Sequence, residues 1–236
     1  MQRYFSSEKI NNSLILSKDD IYHIEKVMRM KIDDLIEVIY NNNLYICKIT
    51  SFSPFEDMII EEKNENNESN IKISIVQSFV NEQKMDYILQ KCTELGAYNF
   101  YGYKATNSII KENGKIDKKI MRWQKIVKEA SEQSKRNIIP EVVDVIDINK
   151  LCALKADLKI LLSVNEVTRS MKNVLQSKKK CDTMIIVVGP EGGFTKDEEE
   201  KLINNGFIST SLGPRVLRTE TAGVSALAMI NYEWMV

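Results

Sequence analysis

Residues 212–223 read LGPRVLRTETAG, and they separate two kinds of structure. Phe207 to Leu212 has the apolar character of a short buried strand, while Val224, Leu227, Ala228 and Met235 fit the buried stripe of a C-terminal helix. In the turn between, Gly213 permits close backbone approach and Pro214 stiffens the chain. Thr219 or Thr221 is placed to cap the helix, whose first amides need an acceptor. A strand that ends in a glycine turn before a helix is where α/β proteins hold ligands.

The segment before it repeats the pattern. Thr183 to Val188 (TMIIVV) is a continuous apolar run, as in a parallel strand covered on both faces, and it leads into Gly189-Pro190-Glu191-Gly192-Gly193-Phe194. Thr195 with Glu198 three residues on makes a capping-box pattern that opens a helix, and Gly206 closes it. Two glycine-lined loops at one sheet edge suit a small molecule held by backbone amides and carbonyls. GPEGG lacks the lysine of a GxxxxGK[ST] phosphate loop, and no GxGxxG follows a first strand, so a nucleoside-like ligand fits better than a polyphosphate. Either turn alone reads as a tight corner; the tandem favours a site.

GPEGGFTKDE followed by LGPRVLRTETA closely resembles the RsmE family of ribosomal RNA uridine methyltransferases, within the knotted SPOUT class. Lys84 to Gly96 (KMDYILQKCTELG) is similar to the first helix of that family's catalytic domain. Arg122 to Ile126, Glu129 to Gln133 and Arg136 to Pro140 are similar to its next helix, and His23 to Arg29 (HIEKVMR) to the first helix of its amino-terminal domain. The likeness spans nearly the whole chain. It implies an α/β fold, with a SPOUT-type mostly parallel sheet and a C-terminal trefoil knot, preceded by a small PUA-like or OB-like β-barrel that grips RNA. Composition predicts no knot; in the implied picture the segments around Leu162, Gly189 and Leu212 cross and enclose the ligand.

At 236 residues the chain has room for one or two domains, each with a core. With 43% hydrophobic and 28% charged residues it reads as a soluble globular protein. No apolar run approaches the ~20 residues of a membrane span, and MQRYFSSEKI lacks the apolar centre of a signal peptide. A cytoplasmic protein with no membrane partner is expected. Cys47, Cys92, Cys152 and Cys181 never form CxxC and His23 is the sole histidine, so no metal site is expected; His23 itself reads as structural or RNA-facing. The 33 basic and 33 acidic residues balance, which argues against indiscriminate nucleic-acid binding but allows a local basic patch.

Residues 1–70 read as the PUA-like RNA-binding domain and 71–236 as the knotted methyltransferase domain. In the first, Tyr4 and Phe5 suggest a strand, and Ser17 with Asp20 opens a helix with Ile21, Ile24 and Val27 inward. Leu35–Tyr40 and Leu44–Thr50 form a hairpin about Asn41-Asn42-Asn43, and Met58–Glu61 adds a strand. Lys63 to Asn70 (KNENNESN) reads as the linker. In the second, Ile71, Ile73 and Ile75 alternate along a strand, while Met85, Ile88, Leu89, Cys92 and Leu95 share a helix face ended by Gly96. Asn99–Tyr103 and Leu158–Val164 read as strands, and Ile116 to Ala130 follows helical spacing and ends before Pro140. Strand and helix alternate, which predicts a mostly parallel sheet.

The resemblance implies S-adenosyl-L-methionine as cofactor and N3 of a uridine in 16S ribosomal RNA of the small subunit as methyl acceptor. It also implies a homodimer, which the apolar final helix ending Tyr232-Glu233-Trp234 suits. Carried onto matching positions, the cofactor residues are Leu162, Val164, Gly189, Pro190 and Gly192, then Leu212, Gly213, Val216, Leu217, Thr219 and Thr221. Glu191 either binds a polar part of the cofactor or fixes its loop, and Glu166 is a further cofactor-side residue. The acceptor is a weakly acidic imide, and loss of its proton spreads charge onto the flanking carbonyls. A guanidinium stabilises such an anion as an oxyanion donor does. Arg218, beside Thr219, is therefore the candidate catalytic residue, with Arg215 in reserve. Glu220 needs a raised pKa to act as a base and otherwise is a first-turn acid suited to the helix dipole. Arg3, Arg29, Arg136 and Arg215 are the expected RNA contacts, with Lys26 and Lys31 extending a basic face. Where relatives carry an Arg between Lys104 and Lys118, this chain has Thr106 and Asn107, and Lys104 or Lys111 would have to replace it. Lys178-Lys179-Lys180 reads as a solvated run or a phosphate contact. The rival readings are a knotted methyltransferase of transfer RNA or another base, and a non-catalytic assembly factor.

Overall fold

The computed structural model describes residues 1–108, 116–178 and 180–234; Lys111, Lys179 and Met235, named above, lie outside them. The chain divides into two units, Met1–Glu68 with Ser131–Ile139, and Ser69–Ala130 with Pro140–Val236. Ser131–Ile139, expected in the second domain, clusters instead with the first.

In the first unit, β1 (Arg3–Phe5), β4 (Leu35–Tyr40), β5 (Asn43–Phe52) and β6 (Phe55–Lys63) form a sheet in the order β1-β4-β5-β6, beside a hairpin of β2 (Glu8–Ile10) and β3 (Ser13–Ile15). Asn41 and Asn42 take φ of 49° and 65°, the pair of left-handed residues a two-residue hairpin turn requires, so Asn43 belongs to the strand. α1 (Lys18–Tyr22) starts at Ser17, whose side chain accepts from the Asp20 N–H, and widens into a π-helical turn over His23–Val27. That wider turn slides the apolar face: Ile24 is fully buried, but Val27, expected inward, is 57% exposed. The Tyr4 hydroxyl meets His23 Nδ1 at 3.0 Å, which gives the sole histidine a structural partner.

Arg3 and Arg136 correct the RNA-contact list. Arg3 is 3% exposed; its Nε donates to Glu37 at 2.8 Å and its Nη1 to Asn137 Oδ1 at 2.9 Å. Arg136 is also buried and donates to Glu68 Oε2 at 2.6 Å. Glu68 Oε1 further accepts from the N–H groups of Asn137 and Ile138 at 2.9 and 3.1 Å. A buried guanidinium needs a paired carboxylate, and these two find theirs inside the unit, out of reach of RNA. Burial alone would raise the Glu37 carboxyl, but the bonds from Lys135 and Arg3 hold it below its usual range. The polar tract expected as a free linker is thus pinned through Glu68. Glu68→Ala removes the carboxylate that bonds Arg136 and the N–H groups of Asn137 and Ile138, and should cost up to about 3–5 kcal/mol in urea unfolding. A loss below about 1 kcal/mol would show that the pair is not what anchors this segment.

The second unit runs β7 (Lys72–Ser78), α2 (Glu82–Glu94), β8 (Asn99–Tyr103), α3 (Ile116–Gln133), β9 (Glu141–Ile146), α4 (Ile148–Ala153), β10 (Leu158–Leu162), α5 (Met171–Ser177), β11 (Thr183–Val188), α6 (Lys196–Asn204), β12 (Ile208–Thr210) and α7 (Thr219–Trp234). The sheet order is β12-β10-β11-β7-β8-β9, with every neighbouring pair parallel. The apolar β11 sits in the middle. Ile185 and Val187 join Leu161, Leu202 and Phe207 in a core on one face, while Val188 faces α7 at Gly223. The capping box of Thr195 and Glu198 is present, and Gly96 and Gly206 adopt φ of 89° and 87° after their helices. On α7 the buried stripe is Gly223, Ala226, Leu227, Ile230 and Trp234. Val224 and Ala228 flank it rather than belong to it: apolar residues occur on several sides of this helix, so packing on α2 selects its face. Among the described residues no helix is long and apolar enough to cross a membrane, and no three His, Cys, Asp or Glu side chains are grouped to hold a metal ion.

Candidate active site

The parallel strands β10, β11 and β12 end on one side of the sheet. The loops leaving them, together with the start of α7, surround a cavity of about 890 Å³, a size common for small-molecule sites. Leu162, Val164 and Glu166 line it from the β10 side, and Gly189, Pro190, Glu191 and Gly192 from the β11 loop. Leu212, Gly213, Val216, Leu217 and Thr219 line it from the last loop, with Arg215 and Arg218. Thr221 is the exception: it is exposed on the first turn of α7, and its N–H bonds to the Arg218 carbonyl at 2.9 Å. Arg29 lies on the first unit, exposed and at φ 52°.

The loops are held by contacts between distant segments. Thr219 does not cap its helix; its hydroxyl donates to the Gly189 carbonyl at 2.6 Å and accepts from Gln77 Nε2 at 2.9 Å. Ser78 Oγ donates to the Val188 carbonyl at 2.8 Å. The Asn107 side-chain amide donates to the carbonyls of Gly192 and Gly193 at 3.3 and 3.2 Å. Asn107 therefore braces the GPEGG loop. Glu198 ties the same region from below, accepting from the Tyr103 hydroxyl at 2.8 Å and the Thr106 N–H at 3.0 Å. Two glycines are dictated by geometry: a Cβ on Gly189 would lie 2.9 Å from the Phe194 ring, and Gly213 has φ 127°.

Two further charged residues of the lining escaped the sequence reading. Glu199 on α6 accepts from Ser163 Oγ at 2.6 Å. Lys84 on α2 reaches Glu191 at 2.9 Å and Glu220 at 3.5 Å. The hydrogen bond to Glu191 raises the Lys84 pKa, so its ammonium stays charged through neutral pH. Burial works against the Glu191 carboxylate, but Lys84 holds it below the usual range. Glu166 folds back on its own turn, accepting from the Thr168 hydroxyl at 2.6 Å and N–H at 2.7 Å and the Arg169 N–H at 3.0 Å, which brings its pKa down to about 2. Arg218 is 83% exposed at the rim, its guanidinium 4.0 Å from Glu220. With Lys84 already paired, the carboxylates Glu166, Glu191 and Glu199 leave no lysine cradle for a polyphosphate. Apolar walls, glycine backbone and carboxylates together fit a nucleoside that carries a cationic sulfonium and an ammonium.

Comparison with known proteins agrees with this architecture. Residues 67–231 match a family model described as an RNA methyltransferase domain. Over 99% of its length the chain is 36% identical to ribosomal RNA small subunit methyltransferase E of Bacillus subtilis, of which the match covers 97%. It is 34% identical to the protein of the same name from Aquifex aeolicus, over 98% of this chain and 99% of that one. The crystal structure of the Neisseria gonorrhoeae ribosomal RNA small subunit methyltransferase E bound to S-adenosylmethionine aligns with a TM-score of 0.89 at 28% identity, covering 99% of this chain and 98% of that one. A glycine-lined cavity at the ends of three parallel strands and a match along nearly the entire chain lead to one conclusion: the chain belongs to the RNA methyltransferases of the ribosomal RNA small subunit methyltransferase E family.

Proposed function

We propose that this protein transfers a methyl group from S-adenosyl-L-methionine to N3 of a uridine in 16S ribosomal RNA of the small subunit. The observation that carries the reading is Arg218, a largely exposed guanidinium at the rim of a cavity whose lining suits that cofactor. When bound, S-adenosylmethionine supplies an electrophilic methyl sulfonium, the demanding part of the chemistry. The chain supplies position and charge. Gly189, Gly192 and Gly213 offer backbone at close approach, Leu162, Leu212 and Leu217 exclude water, and Glu166 and Glu199 favour a cationic ligand. Arg218 stabilises the negative charge on the pyrimidine carbonyls once N3 has lost its proton to solvent. Alignment of the two reactants contributes up to roughly 7–11 kcal/mol.

The finer features belong to the same reading. β12 pairs with β10 on the side away from β11, and Ser211 pairs with Ser170 beyond the two strands; the reading adds a trefoil knot in these segments. The first unit is read as a PUA-like barrel, with Arg29 there and Arg215 at the cavity contacting RNA phosphate. The protein is read as a cytoplasmic homodimer, with the exposed Met229 and Tyr232 of α7 at the interface. Sedimentation should give a dimer; a fully active monomer rejects that part. The activity is tested by methyl transfer onto small subunits lacking the modification, compared with naked RNA and transfer RNA. N3-methyluridine should appear by mass spectrometry on the subunit. Its absence there, or its appearance on transfer RNA instead, defeats the assignment.

A further inference from the structure

Glu220 stands in the first turn of α7, next to Thr219 and two residues from Arg218, and two cations compete for it. Lys84 Nζ lies 3.5 Å from its Oε2, and the Arg218 guanidinium lies 4.0 Å from its Oε1. The carboxylate is mostly buried, at 16% exposure, and Oε2 accepts no hydrogen bond. Lys84 is 25% exposed and already fixed by Glu191 at 2.9 Å, whereas Arg218 at 83% exposure is held by little else. Charge interactions strengthen as solvent is excluded, so the partly buried lysine dominates the competition while it is present.

We propose that Lys84 is a positioning residue: its ammonium satisfies Glu220, and so keeps that carboxylate from drawing Arg218 away from the cavity mouth. Without Lys84, a mostly buried carboxylate would lack its nearer cation, and the arginine two residues away is the one able to replace it. A second consequence follows on the other side of the lysine. The GPEGG loop and the first turn of α7 are bridged through Lys84, so one side chain sets both the cofactor loop and the arginine that follows the second loop. The inference rests on the role of Arg218 proposed above.

The test compares Lys84→Met, Lys84→Arg and the double variant Lys84→Met/Glu220→Gln, with kcat measured on small subunits and S-adenosylmethionine Kd measured by calorimetry. Lys84→Met is expected to lower kcat at least about tenfold, and to raise Kd as well because the Glu191 loop loses its bond to the lysine. Adding Glu220→Gln removes the competing charge and should recover most of the lost kcat, which a merely structural role for Lys84 would not do. Lys84→Arg keeps the charge and should also recover kcat relative to Lys84→Met. A crystal structure of Lys84→Met should show Arg218 closed onto Glu220 in direct hydrogen-bond contact, a readout that needs no activity. If Lys84→Met fails to fold, Lys84→Gln serves in the same comparison. A double variant no better than the single one, or an Arg218 still standing off from Glu220, overturns the inference and leaves the role of Arg218 intact. A fully active Arg218→Ala enzyme overturns both.

Discussion

Arg218→Ala lowers the rate of methyl transfer by about 10²–10³ and leaves S-adenosylmethionine binding within about threefold of the original. The split between rate and affinity follows from where the side chain stands. Arg218 is at the rim, largely in solvent, and makes no hydrogen bond that would shape the cofactor loops; the loops are braced by Thr219, Gln77 and Asn107. Its charge matters only once the pyrimidine ring is an anion, which is a property of the approach to the transition state. Removing a donor aimed at such a charge costs about 2.7–4 kcal/mol of barrier. Single-turnover methylation of small subunits, with calorimetry on the same preparation, separates the two quantities. Arg218→Lys should recover only part of the rate, because an ammonium offers a point charge where the guanidinium offers a planar fork. An alanine variant at full rate, or one whose whole defect is in cofactor affinity, removes the catalytic assignment.

Gly189→Ala should weaken S-adenosylmethionine binding at least tenfold, about 1.4 kcal/mol, and destabilise the fold by about 1–3 kcal/mol. The added methyl would lie 2.9 Å from the Phe194 ring, closer than carbon atoms tolerate. Phe194 cannot simply retreat, since it is packed with Tyr103, Leu202 and Phe207 in the core beneath the loop. The strain therefore moves the Gly189 backbone, whose carbonyl is the acceptor for Thr219 and so couples the first loop to the second. Phe194→Leu in the same chain makes room for the methyl, and the double variant should regain part of the lost affinity. Additive losses in that cycle would show that the clash is not the cause. Equal affinity in Gly189→Ala would show that the loop's backbone position is not what holds the nucleoside.

Much of this site was legible before any coordinates. Continuous burial of Met184–Val188, the Thr195–Glu198 capping box and the Gly213 turn each depend on residues within one or two turns of chain, and such patterns are short-range. The loops at residues 189–193 and 212–219 could be brought to one sheet edge by argument, because consecutive parallel strands point the same way. Thr221 was misplaced for the opposite reason. Position in a motif says nothing about which side of a helix's first turn faces the cavity.

What lay beyond the sequence were the partnerships between side chains far apart along it. Arg3 and Arg136 look like free cations in a string of letters; only the folded unit reveals Glu37 and Glu68 beside them and turns expected RNA contacts into buried ion pairs. Lys84, Asn107 and Glu199 entered the site in the same way, as did the inward face of α7. Local order, strand and helix identity and the ligand-bearing turns follow from neighbours in the chain, whose geometry is fixed by backbone sterics and short-range hydrogen bonds. Which charges neutralise one another, and which face of a helix with apolar residues on several sides is buried, depends on desolvation by distant segments, and only tertiary packing decides that.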